Sequence, residues 1–114
     1  MRLIHKPSQT VLASHLEIAD TPFSRMKGLL GRASLPLGHA LWIVPCGSIH
    51  TCFMRFALDV VFLDRERRVV KIVRDLPPFR FSFSWSAHSV IEWRAGSLEK
   101  FSLRRGDPLI FEGA

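Results

Sequence analysis

The feature that most constrains the fold is a pair of apolar runs separated by a short polar segment. The first run, LDVVFLD, covers residues 58–64, and the second, RVVKIVRD, covers residues 68–75. Both runs are rich in Val, Ile and Phe, which favour strands, and the segment DRER between them is typical of a turn. The pattern predicts a β-hairpin.

Other short segments with strand-like composition recur along the chain. They cover residues 10–20 (with a bulge near residues 14–15), 39–45, 48–54, 89–95 and the C-terminal GDPLIFEG. Turn residues separate them at short intervals, and no long βαβ unit is visible. The sequence therefore predicts an all-β fold, either a small sandwich of jelly-roll-like form or a partly closed barrel.

One short helix is expected near the N-terminus, over residues 22–30. Thr21 suits the N-cap, Pro22 the first helical position and Gly31 the end of the helix. Four apolar residues at helical spacing form one face: Phe23, Met26, Leu29 and Leu30. A second helical turn near residues 97–102, with Ser97 as its N-cap, is an additional option.

An aromatic ladder follows the double proline at residues 77–78. Its members are Phe79, Phe81, Phe83 and Trp85, which alternate with Arg80 and three serines. On an extended strand all four aromatic side chains share one face. Period-two spacing favours a strand that faces the core, whereas an exposed ladder would mark a surface for a partner, ligand or nucleic acid.

Length and composition fit a single domain, residues 1–114, with its own hydrophobic core. The chain is 47% hydrophobic and contains nine Phe and three Trp. Its formal charge of +6 favours nucleic acid, an anionic membrane or an acidic ligand as a binding partner. Because the basic residues are dispersed and lie beside acids, we expect a solvated basic surface and no nucleic-acid partner.

Targeting signals are not visible in the sequence. No stretch approaches the roughly 18–20 apolar residues that span a bilayer, so we expect no membrane span. The N-terminus lacks the apolar core and cleavage site of a signal peptide, and two cysteines do not make a disulfide scaffold. We therefore expect a cytoplasmic protein with reduced thiols, although a mature chain lacking its signal would read the same.

The segment from residue 45 to residue 64 concentrates chemically versatile side chains. Cys46, His50 and Cys52 could ligate zinc with a fourth residue, Asp59, His39 or His88. The two cysteines could instead form a disulfide, or one could act as a nucleophile with His50 and Asp59. The plainer interpretation is that both cysteines are small buried hydrophobes, and we expect no metal and no cofactor.

Asp59 needs its own explanation because it lies inside the apolar run FALDVVFLD. A buried acid is costly unless it is paired or hydrogen-bonded. One option is a structural network with His50 and Arg55. The other is a ligand cleft with apolar walls, which would be formed by Trp42, Phe53, Met54 and Phe62.

Several motifs together resemble the family called domain of unknown function 192, also known as uncharacterised protein family 0127. They are RMKGLLGR, IHTCFM, LDVVFLD, the double proline, EWRAG and the late GD, and the resemblance covers residues 17–112. It implies a compact, mostly β fold with a small helix, and no activity. Position 52 is commonly aromatic in similar sequences, so Cys52 departs from the pattern and counts against the metal and Cys–His readings. The matching positions are Arg25, Gly28, His50, Met54, Asp59, Asp64, Glu92, Gly96, Gly106 and Asp107.

The leading functional hypothesis is a non-catalytic binding or accessory module for a small polar ligand or a protein partner. Its candidate ligand-binding residues are Arg25, Trp42, His50, Met54, Asp59 and Glu92. One alternative is a hydrolase that uses His50 with Asp59 as a general base pair, with or without a metal. A second alternative is a nucleic-acid binder that uses the arginines and the aromatic ladder.

Overall fold

The computed structural model describes residues 1–113 and confirms a mainly β fold with one short helix. The elements in chain order are β1 Arg2–His5, β2 Thr10–Ala13, β3 His15–Ala19, α1 Pro22–Lys27, β4 His39–Ile43, β5 Ser48–His50, β6 Leu58–Leu63, β7 Val69–Leu76, β8 Phe81–Phe83, β9 Ser89–Arg94 and β10 Leu109–Glu112.

The strands form three open sheets. A five-stranded sheet has the order β3-β4-β9-β6-β7, a three-stranded sheet has the order β10-β1-β2, and β5 pairs with β8 as a two-stranded ribbon. Strands β3 and β4 pair in parallel across the connection that contains α1, and the other pairs are antiparallel. The sheets do not close into a barrel, so the layered form is the one the chain adopts.

The five-stranded sheet is buried on both faces, which gives the molecule two cores. In the first core, Val61, Ile91 and Trp93 pack against residues of the three-stranded sheet such as Leu3 and Leu12. The second core lies on the opposite face. Its members from the sheet and from the segments that cover it are Leu29, Leu35, Leu41, Ile49, Met54, Val60, Phe62 and Val90.

The predicted hairpin is confirmed, since β6 and β7 pair antiparallel. The predicted start of the helix is also confirmed, because the Thr21 side chain accepts a hydrogen bond from the Ser24 amide and Pro22 occupies the first turn. The helix ends at Lys27 rather than at residue 30, because the next residue, Gly28, has φ +48° and leaves the helical conformation. Of the four residues of the expected apolar face, Leu29 and Leu30 lie beyond the end of the helix, and Phe23 and Met26 are exposed.

Three further details differ from the sequence-based expectations. Residues 97–102 form hydrogen-bonded turns rather than a second helical turn. The strand expected over residues 48–54 stops at His50, and Phe53 adopts a positive φ of 65° in the turn that follows. Strand β1 was not expected from the sequence, and it lies between β10 and β2.

The expectation that the aromatic ladder faces the core is wrong. In the β5–β8 ribbon, Ile49 pairs with Ser82, and both are buried against the second core. Successive side chains of a strand point to opposite faces, so Phe81 and Phe83 must point outward. All four ladder residues are exposed, and Trp85 is 93% exposed.

Candidate functional site

Glu92 is an acid in the middle of the five-stranded sheet. It lies on β9, between Leu41 of β4 and Val60 of β6, and is only 5% exposed. Its side chain makes no hydrogen bond or ion pair with another residue in the described range, 1–113. Burial disfavours the charged form and raises the pKa of Glu92 from 4.5 to about 7. The fold therefore maintains an unpaired carboxyl group that is poised near neutral pH.

A cavity of about 440 Å³ lies over Glu92 on the second-core face. Its walls come from the C-terminal half of α1 and the turn after it, from Ile43 at the end of β4, and from β5 and Met54. A Cβ built on Gly28 would lie 3.9 Å from Oε1 of Glu92, so the end of the helix passes close to the carboxyl group. The cavity has mostly apolar walls with a few polar groups, which is the usual character of a small-ligand site.

Arg25 brings a cationic group to the same cavity. Its Nη1 donates a hydrogen bond to the carbonyl oxygen of Pro45, at 3.1 Å, which holds the side chain against the segment between β4 and β5. Its Nε is buried and has no hydrogen-bond partner in the described chain. A buried N–H without a partner is costly, so this donor is left unsatisfied by the described fold.

Cys46 lines the cavity beside Glu92, and its thiol is not activated. Burial raises the pKa of Cys46 most, and the neighbouring Glu92 raises it further, while the contact with Ser48 and the charge of Arg25 oppose the change. The Sγ atom donates to the Ser48 carbonyl oxygen at 3.0 Å. A reactive cysteine needs a lowered pKa, and Cys46 has the opposite. Both cysteines are free thiols.

The structure brings four of the six candidate residues together: Arg25, His50, Met54 and Glu92 all line the cavity. His50 is exposed at its edge, whereas Met54 is buried. Gly28, which also belongs to the motif positions, and Cys46 complete this part of the wall.

Asp59 lies on the opposite face of the sheet from Glu92. It pairs with Trp93 on β9, whereas its neighbour Val60 pairs with Glu92, and alternation of side chains separates the two acids. The Asp59 carboxylate accepts hydrogen bonds from the backbone amides of Asp75 (2.9 Å), Gly96 (3.1 Å) and Leu98 (2.9 Å). Asp59 therefore holds an irregular part of β7 and the turn after β9, and it does not form the network with His50 that was one expectation.

Trp42 also lies outside the cavity, in the first core. Its ring packs on Phe111, with ring centroids 4.1 Å apart, and the guanidinium of Arg67 lies 5.1 Å from its centroid. Pairing of Trp42 with Ile91 places it on the face opposite to Glu92. Its indole Nε1 is buried without a hydrogen-bond partner in the described chain.

A second polar group, which the sequence did not indicate, joins the two ends of the chain. His5 Nδ1 lies 2.7 Å from Ser8 Oγ, and His5 Nε2 lies 2.7 Å from Asp107 Oδ2. Burial acts to raise the pKa of Asp107, but the hydrogen bonds from His5 and from the Arg104 amide outweigh it and leave the pKa below its usual value. These contacts tie the β1–β2 turn to the segment before β10.

Neither a metal cluster nor a spanning helix is found in the described part of the chain. Residues 1–113 contain no group of three or more His, Cys, Asp or Glu side chains placed to hold a metal ion. Within the same range, no helix has the length and apolar character needed to cross a membrane.

Comparison with known proteins shows relatives of both sequence and fold. The model of the DUF192 family, described as "Uncharacterized ACR, COG1430", matches residues 3–111. A UPF0127 protein of Thermococcus sibiricus is 33% identical over 116 residues, which is 96% of this chain and 74% of that protein. The UPF0127 protein PF1050 of Pyrococcus furiosus is 32% identical over 100 residues, which is 82% of this chain and 84% of that protein.

Two crystal structures share the fold. One is a protein of Sinorhizobium meliloti named a "putative transcription regulator (R01717)", with a TM-score of 0.80 and 22% identity, covering 96% of this chain and 89% of that one. The other is a protein of unknown function from Novosphingobium aromaticivorans, with a TM-score of 0.76 and 19% identity, covering 97% of this chain and 93% of that one. At these identities the likeness shows the fold alone.

Proposed function

Because the chain belongs to the DUF192 family, whose description names no activity, we propose a function from the chemistry of its own cavity. The protein is a non-catalytic binding module that holds a small polar ligand against Glu92 and Arg25. The single observation that carries this proposal is Glu92 itself, a carboxyl group placed at the centre of a sheet, facing a cavity and lacking a protein partner within residues 1–113.

The unpaired state of Glu92 favours a ligand over a purely structural role for this residue. An unpaired buried carboxylate destabilises the fold, as the raised pKa of Glu92 shows. Asp59 is the useful contrast, because its carboxylate accepts three backbone hydrogen bonds and so has a structural task. Glu92 accepts no such hydrogen bonds from the described residues, and acids with perturbed pKa values in clefts are typical of functional sites.

The cavity specifies the chemical class of the ligand. Glu92 offers a carboxyl group to a ligand hydroxyl or amine, and the guanidinium of Arg25, which lines the same cavity, offers N–H donors to a ligand oxygen. Apolar side chains such as Ile43 and Met54 form much of the remaining wall. We therefore infer a small molecule that carries both a hydroxyl or amino group and an oxygen acceptor, on a compact carbon frame.

The arrangement supports binding rather than hydrolysis. The alternative enzyme needs His50 next to Asp59, and these residues lie on different sides of the molecule, one at the cavity edge and one under the opposite face of the sheet. The cavity thiol, Cys46, has a raised pKa and is held in a hydrogen bond to Ser48. Neither the His50–Asp59 pair nor Cys46 is therefore arranged as the alternative hydrolase would need.

The test is a ligand screen that reports on the cavity. Amino acids, hydroxy acids and monosaccharides carry the required groups, and each set would be screened for a rise in the melting temperature of the wild-type protein. Affinities of the hits would then be measured by calorimetry for wild type and for Glu92→Gln and Arg25→Ala. We expect each substitution to weaken binding by about tenfold or more, because each removes a buried charged hydrogen-bonding group.

Glu66→Gln is the matched control, since Glu66 is an exposed acid in the β6–β7 turn. This variant should bind as wild type does. The proposal fails if no compound of these classes raises the melting temperature, or if the hits bind Glu92→Gln as tightly as wild type while that variant remains folded.

A further inference from the structure

A group of exposed aromatic side chains, here called the aromatic ridge, lies along the β5–β8 ribbon and the turn after β5. It consists of Phe53, Phe79, Phe81, Phe83 and Trp85. Neighbouring rings contact one another: the centroids of Phe53 and Phe79 are 5.6 Å apart, those of Phe81 and Phe83 are 5.9 Å apart, and those of Phe83 and Trp85 are 5.5 Å apart. The rings thus form two contacting groups, Phe53 with Phe79 and Phe81 with Phe83 and Trp85, rather than scattered single residues, and clustered exposed apolar side chains mark interaction sites.

The two stretches of sequence that contain the ridge carry charges of one sign. Residues 21–58 and 76–91 contain no Asp or Glu, although they carry Arg25, Lys27, Arg32, Arg55 and Arg80. Among residues 1–113, eight of the ten exposed large apolar residues fall within these two stretches, and Val11 and Ile18 lie outside them. Exposed apolar surface and the absence of acids therefore coincide in the segments that cover the second core.

We propose that the aromatic ridge docks on an anionic lipid surface. Phe side chains have no hydrogen-bonding group and partition into the acyl region, while Trp favours the boundary with the headgroups. Basic residues beside them are attracted to anionic headgroups, and no acid in the two stretches opposes that attraction. Docking would be peripheral, since β-strands and turns rather than a spanning helix carry the surface.

Two cations lie directly beside the rings. Lys71 Nζ donates to the carbonyl oxygen of Phe83 at 2.9 Å and lies 5.9 Å from the centre of its ring. Arg80 Nη1 donates to the carbonyl oxygen of Phe79 at 3.3 Å. Both charges are thereby fixed at the base of the apolar surface, where they would meet headgroup phosphates as the rings enter the membrane.

The same geometry favours lipid over single-stranded nucleic acid. Bases stack on open ring faces along a groove of free cations. Here two neighbouring ring pairs meet nearly edge to face, with interplanar angles of 73° for Phe53–Phe79 and 86° for Phe83–Trp85. Two cations, Lys71 and Arg80, bond to the backbone of the ladder, and two charges are too few to form a row that follows a phosphate backbone.

The experiment uses the whole protein and two kinds of vesicle, phosphatidylcholine alone and phosphatidylcholine mixed with phosphatidylglycerol. Flotation measures binding. Tryptophan emission reports insertion, because Trp85 is exposed whereas Trp42 and Trp93 are buried, so a blue shift on vesicle addition comes from the ridge. We expect flotation and a blue shift with the anionic vesicles, and weaker binding as salt increases.

The double variant Phe81→Ser/Trp85→Ser should reduce partitioning onto anionic vesicles by about tenfold or more, because it removes two inserting rings. The double variant Val11→Ser/Ile18→Ser alters exposed apolar residues outside the two stretches, and it should partition as wild type does. Wild type and all variants would also be tested with oligothymidylate and by sedimentation equilibrium.

Absence of binding to anionic vesicles would overturn the proposal. Tight binding of oligothymidylate without vesicle binding would assign the ridge to nucleic acid. A dimer that is lost in Phe81→Ser/Trp85→Ser, without vesicle binding, would assign the ridge to a second copy of the chain. Equal partitioning of the two double variants would show that the ridge is not the docking surface.

Discussion

Glu92 is the residue whose ionisation the fold controls most strongly, and this makes stability depend on pH. Its folded pKa is about 7, above the reference value of 4.5, so the folded protein binds more protons than the unfolded chain between these values. The stability that protonation of Glu92 contributes is fully present below about pH 4.5 and is lost as pH rises through 7. At about 1.4 kcal/mol per pKa unit, the loss is about 3 kcal/mol by pH 8.

Urea unfolding measured from about pH 5 to about pH 8 would show this slope. In Glu92→Gln the slope should disappear, because the side chain no longer titrates, whereas the exposed control Glu66→Gln should keep it. An unchanged slope in Glu92→Gln would mean that other groups cause it and that the carboxyl group is not held in an apolar, unpaired state.

Sequence reasoning could recognise single polar residues in apolar strands, but it could not decide which face of the sheet each one occupies. Arg25, Met54 and Glu92 were expected at one site and do line one cavity. Asp59 and Trp42 were expected with them and lie on the other face, because Asp59 is paired with Trp93 and Trp42 with Ile91. The face of the sheet that a side chain occupies depends on strand register, and a register shift of one residue moves the side chain to the other face.

At the scale of elements, the end of α1 shapes the cavity, and Gly28 is the residue that allows it. Gly28 has φ +48° and ψ −126°, a conformation that side chains with a Cβ rarely adopt. Gly28→Ala should lower the free energy of unfolding by about 1–3 kcal/mol through backbone strain. The methyl group would meet Glu92 and Ile43 at 3.9 Å, so the loss would not come from a steric clash.

Gly47→Ala is the control for that prediction. Gly47 lies in the neighbouring β4–β5 turn without a positive φ, and a Cβ there would be 3.6 Å from the Ala87 carbonyl oxygen, an ordinary contact. Chemical denaturation should therefore show a larger loss for Gly28→Ala than for Gly47→Ala. Equal losses would mean that filling space near the cavity, rather than the backbone conformation of Gly28, determines the effect.

Local signals predicted where elements begin, but periodicity did not reveal what their apolar faces meet. Thr21 and Pro22 fixed the start of α1 because a cap acts within one turn. The spacing of Phe23 and Met26 on the helix, and of Phe81 and Phe83 on β8, matched a buried face, yet these residues are exposed. A regular apolar pattern shows that side chains share a face, and only tertiary packing decides whether that face is covered by the same chain.

At the scale of the whole molecule, the fold depends on contacts that bring together residues far apart in sequence. Strand β1 lies between β2 and β10, so the N-terminal hairpin and the C-terminal strand complete one sheet over the first core. The parallel pairing of β3 with β4 likewise depends on the crossover through α1. Such pairings carry little local signal, which is why the sequence predicted short strands in either a sandwich or a partly closed barrel, without the order of the strands.

The contact between His5 and Asp107 is one of these long-range contacts. It joins β1 to the turn before β10, and its two side-chain atoms are 2.7 Å apart. The pKa of Asp107 lies below 3.8, so its contribution to stability is present above pH 3.8 and is lost as pH falls through the lower folded value. Asp107→Asn should therefore be less stable than wild type near neutral pH, and the difference should shrink below about pH 4.

Urea midpoints at several pH values would show this, with the exposed Asp20→Asn as the control that leaves the pH profile unchanged. A difference that stays constant down to about pH 3 would mean that Asp107 stabilises the turn through its shape and hydrogen bonds and not through its charge beside His5.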